Sequence, residues 1–329
     1  MTHWYALATW FRNRYGVRVQ KIALDAGASC PNRDGSLSRT GCIFCDAHGS
    51  GSGLGGQGLH LAAQWQRWHD KYTATDPDRR FMAYLQSFSN TYGPASRLAA
   101  LLDTVLGLPG CCGLAVGTRP DCLDAEKLEL LARAAARLEA QSGFREVWLE
   151  LGLQSAHDAT LARINRRHTA ACAADAVRQA ADHGLLVCGH LMAGLPGEDE
   201  TDFLQSVDWA TGLPLSGIKL HNVFVPQGTE LARQYLAGQY HPLARDEYVD
   251  ILCAALPRIP ARLVIHRLQS DPPPQSLLAP DWAALKRPLM TDLLRAMRAR
   301  GLWQGCQADA PLHRPPWFDG PQTTRLGPV

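Results

Sequence analysis

A chain of 329 residues with 46% hydrophobic and 19% charged residues carries enough apolar material for one barrel-sized core or two smaller ones, which excludes a disordered or low-complexity protein. Its formal net charge of +2 excludes a global basic field of the kind that draws nucleic acid or an anionic membrane. No stretch approaches the roughly eighteen apolar residues of a membrane span, and the opening MTHWYALATWFRNRYG has neither a basic leader nor a small-residue cleavage site, so a cytoplasmic protein without a membrane partner is expected.

Apolar residues at helical spacing predict a first helix over residues 4–15, stopped by Gly16, and a strand over 17–24. Short β-branched or apolar runs then alternate with longer helical patterns. Further strands are predicted over 81–87, 113–117, 146–151, 185–192 and 217–223, making six in all. Between them, helices are predicted over 124–140, capped by Asp124, and over 158–183, ended by Gly184. Strands and helices at this spacing imply right-handed crossovers and a parallel sheet, either a partial (β/α)6 barrel or an open doubly wound sheet. The chain changes character after about residue 265, with DPPP at 271–274 and a Trp- and Pro-rich end. The expected division is an N-terminal helix over 1–16, a core barrel over 17–267 and a short C-terminal extension over 268–329.

Parallel α/β folds place their chemistry at the carboxyl ends of the strands. Here those ends lead into the cysteine loop, Ser89–Tyr92, Thr118–Asp121, Gly152–Ser155, Gly194–Glu198 and Val225–Thr229, all polar or rich in glycine and proline. In the first loop Cys30 is followed by Cys42 and, two residues on, by Cys45, amid Asn32, Asp34, Gly35 and Gly41. Two residues between the last pair let both sulfurs face one ion or cluster. With His48 three residues after Cys45, a Cys3His structural zinc site is one reading, making the protein a zinc-stabilised α/β binding module. An iron–sulfur cluster with one iron left open is another, and three packed thiols a third. The other seven of the ten cysteines show no second metal spacing.

The runs CPNRDGSLSRTGCIFC, FSNTYGP, GTRPDC, ELGLQSAHDATLARINRRHT, AGLPGE and HRLQSD, in this order over residues 5 to 290, resemble the YhcC-type branch of the radical S-adenosylmethionine (SAM) superfamily, related to the radical SAM core of the elongator catalytic subunit. The resemblance implies a partial barrel, a [4Fe-4S] cluster on Cys30, Cys42 and Cys45, and SAM chelating the remaining iron through its amino and carboxylate groups. It further implies reduction by a donor such as flavodoxin or ferredoxin and formation of a 5′-deoxyadenosyl radical by an oxidoreductase or transferase. By the same resemblance Phe44 stands beside the adenine, Asn90 and Thr91 end the strand that meets the methionyl amino group, and Gln154, with Ser155 next to it, and Arg166 hold SAM. A guanidinium suits the methionine carboxylate. Gly194, Leu195 and Pro196 form a turn against the base, while Gly117 and His190 occupy places where the coproporphyrinogen-dehydrogenase-like branch has acids near the ribose.

The segment 49–58, GSGSGLGGQG, lacks the Gly-Lys-Ser/Thr ending of a phosphate loop and is read as a mobile loop. His168, His221, His241 and His266 are candidate acid–base groups. The substrate is not spelled out, and catalytic residues toward it are unassigned. RNA, tRNA in particular, is one candidate partner, because Arg12, Arg14, Arg18, Arg79, Arg80, Arg295, Arg298 and Arg300 would offer phosphate contacts if they gather beside the barrel mouth.

Overall fold

The structure, a computed structural model, describes residues 3–47, 49, 58–308, 315 and 317. After helix α1 (Leu7–Tyr15) come β1 (Val19–Leu24), α2 (Leu61–Thr73), β2 (Arg80–Leu85), α3 (Ala95–Leu106), β3 (Cys111–Thr118), α4 (Ala125–Ser142) and β4 (Val147–Gln154). The second half runs through α5 (Asp158–Arg163), α6 (Ala170–Asp182), β5 (Leu186–Ala193), α7 (Glu200–Thr211), β6 (Gly217–Asn222) and β7 (Val225–Pro226). It ends with α8 (Glu230–Leu236), α9 (Arg245–Ala255), β8 (Val264–Arg267), β9 (Leu277–Ala279) and α10 (Lys286–Ala299).

Seven strands pair in parallel in the order β1-β2-β3-β4-β5-β6-β8, while β7 and β9 form a separate antiparallel pair. This order decides between the two architectures left open above. A doubly wound sheet reverses direction partway and carries helices on both faces, whereas strands in unbroken chain order keep their helices on one side and curl the sheet around the other. The six predicted strands all form, and β8 adds a seventh.

Strand alternation then separates two cores. Val147, Leu149, Leu151 and Leu153 of β4 join the large core between sheet and helices, with Ile22 and Leu24 of β1 and Ile218 and Leu220 of β6. The other face of each strand points into the barrel. At its amino end Phe11 of α1 is 1% exposed among Met82, Tyr84, Trp148 and Cys188, so that α1 plugs that end with aromatic side chains. The inward series along β4 is therefore Trp148 in the plug, then Glu150, Gly152 and Gln154 toward the carboxyl end.

The helix predicted over 158–183 is broken. Asn165 and Arg167 adopt positive φ (55° and 64°), which ends α5, and the Thr169 side chain accepts from the Cys172 N–H to start α6 afresh. An apolar period that runs through the gap hid this break. Of the run 49–58 only Gly49 and Gly58 are described, so the mobile-loop reading lies mostly outside the described residues, as does His48.

Candidate active site

The cysteine loop leaves β1 with no regular structure of its own and is held by polar side chains, some its own and some from α2 and the corner at Asn165. Gln64 of α2, fully buried, accepts from the Asp25 N–H at 2.8 Å and donates to the Asp25 carbonyl at 2.9 Å. Asn32 donates to the Asn165 carbonyl at 2.5 Å and lies 3.5 Å from the Cys42 sulfur, and Asn165 in turn donates to the Gly41 carbonyl at 2.6 Å. Arg33 reaches the carbonyls of Cys45 and Asp46 at 2.8 and 2.5 Å, and the Cys45 N–H donates to the Cys42 carbonyl at 3.0 Å, closing the turn between the two thiols. The broken helix thus has a use: its corner at 164–166 clamps the loop.

Two arginines stand behind the thiols. Arg166 points Nη1 at the Cys42 sulfur (3.6 Å), gives Nη2 to the Gly152 carbonyl (2.8 Å) and donates from Nε to His168 (2.9 Å). Gly152 is what admits it, since a Cβ there would stand 2.5 Å from Arg166 Nη2 and 2.6 Å from Gln154 Nε2. Arg119 forks onto Asp121 at 2.8 and 2.7 Å and onto the Arg166 carbonyl at 2.7 Å, leaving a buried Nη1 without a partner. Burial opposes its charge, but Asp121 and the Cys30 and Cys42 sulfurs outweigh that and hold the guanidinium above its ordinary range. Burial first, and then the neighbouring Cys42, pushes the Cys45 thiol up to about 12. A metal cation reverses that penalty by favouring the thiolate, so the donor set fits an iron-bearing group.

Below the thiols the barrel interior is polar. Cys30, Cys42, Cys45, Phe44, Gly117, Arg119, Gln154 and Arg166 share one cavity of about 530 Å³ with Lys21, Glu150, His190, Lys219, His221, His266 and Arg267. On that floor the buried Glu150 carboxylate meets Lys21 at 2.5 Å and also Lys219, with His190 at 3.2 Å and His266 at 3.5 Å. Burial tends to raise the Glu150 pKa, yet the two lysines override it and hold the carboxyl well below its usual range. Burial brings Lys219 down to about 8, His190 to about 4 and His266 to about 3, which leaves both histidines neutral near pH 7.

The sequence matches the family model for the Radical SAM superfamily over residues 38–210 and that for the Radical_SAM C-terminal domain over 215–298. The chain belongs to the radical SAM superfamily. It is 35% identical to YtqA of Bacillus subtilis over 298 residues, covering 89% of each chain, and 34% identical to YhcC of Escherichia coli K12 over 289 residues, covering 88% of this chain and 90% of that one. Among solved structures, the archaeal Methanocaldococcus infernus Elp3 lacking its N-terminus superposes with a TM-score of 0.65 at 17% identity, over 87% of this chain and 64% of that one. That likeness shows a shared fold, the partial barrel of radical SAM proteins.

Within this radical SAM barrel the expected SAM residues divide. Phe44, Gln154 and Arg166 line the cavity with the three cysteines, as do Gly117 and His190. Asn90, Thr91, Ser155, Gly194, Leu195 and Pro196 are not among its lining residues. Most of their polar groups tie strand ends together, although the buried Asn90 Oδ1 has no hydrogen-bond partner. Asn90 donates to the carbonyls of Leu85, Ser87 and Gly117, Thr91 bonds Thr118 and the Cys122 carbonyl, and Ser155 donates to Glu198 at 2.5 Å. The Gly194 and Pro196 carbonyls accept from Tyr240 and Arg163. Of the histidines, His221 and His266 line the cavity, while His168 is buried behind Arg166.

The arginines proposed to meet RNA do not gather at the mouth. Arg18 precedes β1 and pairs with Asp76, Arg79 and Arg80 stand at the start of β2, and Arg14 pairs with Glu146 just before β4, all at the amino ends of the strands, opposite the cysteines. Arg295 and Arg300 pair with Asp292 and Asp250. Arg119 lies in a strand-end loop that the sequence marks, whereas Lys21, Glu150, Lys219 and Arg267 are not marked as cavity residues by it. The available signal was a charge set in the middle of an apolar strand, as in VWLELGLQ.

Proposed function

We propose that this radical SAM protein holds a [4Fe-4S] cluster on Cys30, Cys42 and Cys45 and cleaves SAM reductively to begin a radical reaction. The observation that carries the reading is that the three thiols, Phe44, Gln154 and Arg166 open on one cavity reaching into the barrel, within the usual size of a cofactor pocket. When bound, the cluster supplies one electron to the SAM sulfonium, opening a carbon–sulfur bond to give methionine and a 5′-deoxyadenosyl radical. The protein's own part is placement and exclusion of water. Arg166 and Arg119 offset the negative charge gathered on the thiolates and offer N–H groups to a carboxylate. Gln154, held at a φ of 70°, aims its amide at the cavity, and Phe44 gives the adenine a flat apolar neighbour.

The zinc-module reading needs His48, which lies outside the described residues. The described residues contain no helix long and apolar enough to cross a membrane. A cytoplasmic protein served by a flavodoxin or ferredoxin fits the proposed chemistry, since a reducing compartment keeps ligand thiols available.

Anaerobic reconstitution with iron and sulfide, followed by dithionite and SAM, tests the proposal. A brown protein that forms 5′-deoxyadenosine without added substrate is expected. A colourless protein retaining stoichiometric zinc, or iron loading with no SAM cleavage, overturns it. Titration of labelled total tRNA at low and moderate salt tests whether RNA is the partner, with no binding at low salt excluding it.

A further inference from the structure

The cavity floor carries more positive charge than its own carboxylate balances. Lys21 and Lys219 share the single carboxylate of Glu150, and Arg267, half-buried at the carboxyl end of β8, pairs with no carboxylate among the described residues. Asp271 also lines the cavity but is paired with Lys286 at 2.6 Å, and Asp46 stands at the cysteine end. The neighbouring histidines add nothing to the balance at neutral pH, because burial holds them uncharged. His221 Nε2 is buried on the same floor with no hydrogen-bond partner. One buried and one partly buried ammonium group share a single carboxylate, and the half-buried guanidinium of Arg267 adds to a positive surplus that an anion would offset.

We propose that this floor recognises the substrate through an oxyanionic group, a carboxylate or a phosphate, gripped by Arg267 together with Lys219 and Lys21, with His221 Nε2 as a further donor. This rests on the reading above that the same cavity is where SAM is cleaved. SAM itself does not suit the floor. Its sulfonium and ammonium outnumber its carboxylate, so a cationic recess repels it, and its amino-acid end belongs with the thiols at the rim. A second ligand anchored by its negative end answers the surplus charge and turns the rest of its carbon skeleton toward Gln154 and Arg166. Arg267 supplies a planar fork and the lysines supply point charges, a combination that serves either oxyanion.

The test is binding of sodium acetate and of inorganic phosphate, each followed by NMR line broadening at constant ionic strength, on cluster-loaded and on cluster-free protein. At least one anion is expected to bind with a Kd in roughly the millimolar range. Arg267→Gln should weaken it by about tenfold or more, Arg267→Lys by less, and Lys219→Met by a comparable factor. Arg133→Gln, an exposed change on α4, should bind as the parent does. Acetate alone binding assigns a carboxylate, phosphate alone a phosphate, and either supports the proposal. Equal binding to the parent and Arg267→Gln, or no saturation of either anion by about 50 mM, overturns it. Failure to take up iron would instead strike the reading of the rim, and the cluster-free arm would still decide the floor.

Discussion

The rim and the floor of the cavity are built by opposite means. At the rim the three thiols sit on irregular backbone, and their positions depend on side-chain hydrogen bonds from Gln64 and Asn165 and from the loop's own Asn32 and Arg33. At the floor the charged groups sit on regular strands whose positions are fixed by the sheet, and what needs holding is the charge itself, through Glu150 and its two lysines. A loop can be reshaped without unfolding the barrel, whereas a change in the floor is felt by the whole core.

Replacing Cys30, Cys42 or Cys45 singly with Ala should give the largest effect, complete loss of iron after reconstitution, with the thermal midpoint of the cluster-free protein nearly unchanged. Iron loading that survives any one replacement would break the rim half of the contrast. The reverse pattern is expected from Glu150→Gln. Leaving two lysines beside a neutral amide should cost about 3–5 kcal/mol in a denaturant titration, and a double variant with Lys219→Met should recover part of it. A Glu150→Gln protein as stable as its parent would mean that the floor charges are not coupled to the fold.

Arg166→Ala sharpens the rim further. Removing a guanidinium from a buried charge-assisted contact weakens binding by roughly ten- to a hundredfold, so the SAM Kd, measured by equilibrium dialysis on cluster-loaded protein, should rise by that factor. Unchanged affinity would leave Arg119, with its unpartnered Nη1, as the carboxylate-holding arginine.

The mildest expected effect is a pH slope. His190 and His266 are held at about 4 and about 3, so from about pH 6.5 downward the unfolded chain binds protons that the folded one refuses, and stability falls with acidification. Glu150, held well below its usual range, extends that loss below about pH 4.5. Each such proton contributes roughly 1.4 kcal/mol per pH unit. Denaturant midpoints compared between the parent and His190→Asn should show a shallower slope in the variant, and equal slopes would remove His190 from the coupling.

How much of this was readable in order of residues follows the same divide. The cysteine spacing announces the rim because its residues are close in sequence, and the apolar periods announce the strands. The floor is assembled from Lys21, Glu150, Lys219 and His266, which lie far apart in the chain and meet only because the sheet curls. The break between α5 and α6 was missed for a different reason: positive φ at Asn165 and Arg167 leaves no trace in hydrophobic period, although Thr169 as a cap was a signal. Asn90 and Thr91 follow the end of β2, where residue type alone does not say whether a polar side chain faces a ligand or its own backbone: Asn90 gives its amide N–H groups to the backbone and keeps a free Oδ1.

The aromatic plug that α1 drives into the amino end of the barrel bears on kinetics. Among the described residues Phe11 and Trp148 stop that end, so the cavity opens at the mouth beside the cysteines. In a shaft entered from that end, position becomes precedence. Whatever rests on the floor enters before the molecule at the rim and leaves after it, so initial-rate measurements with two ligands should give the patterns of a compulsory order rather than of random addition.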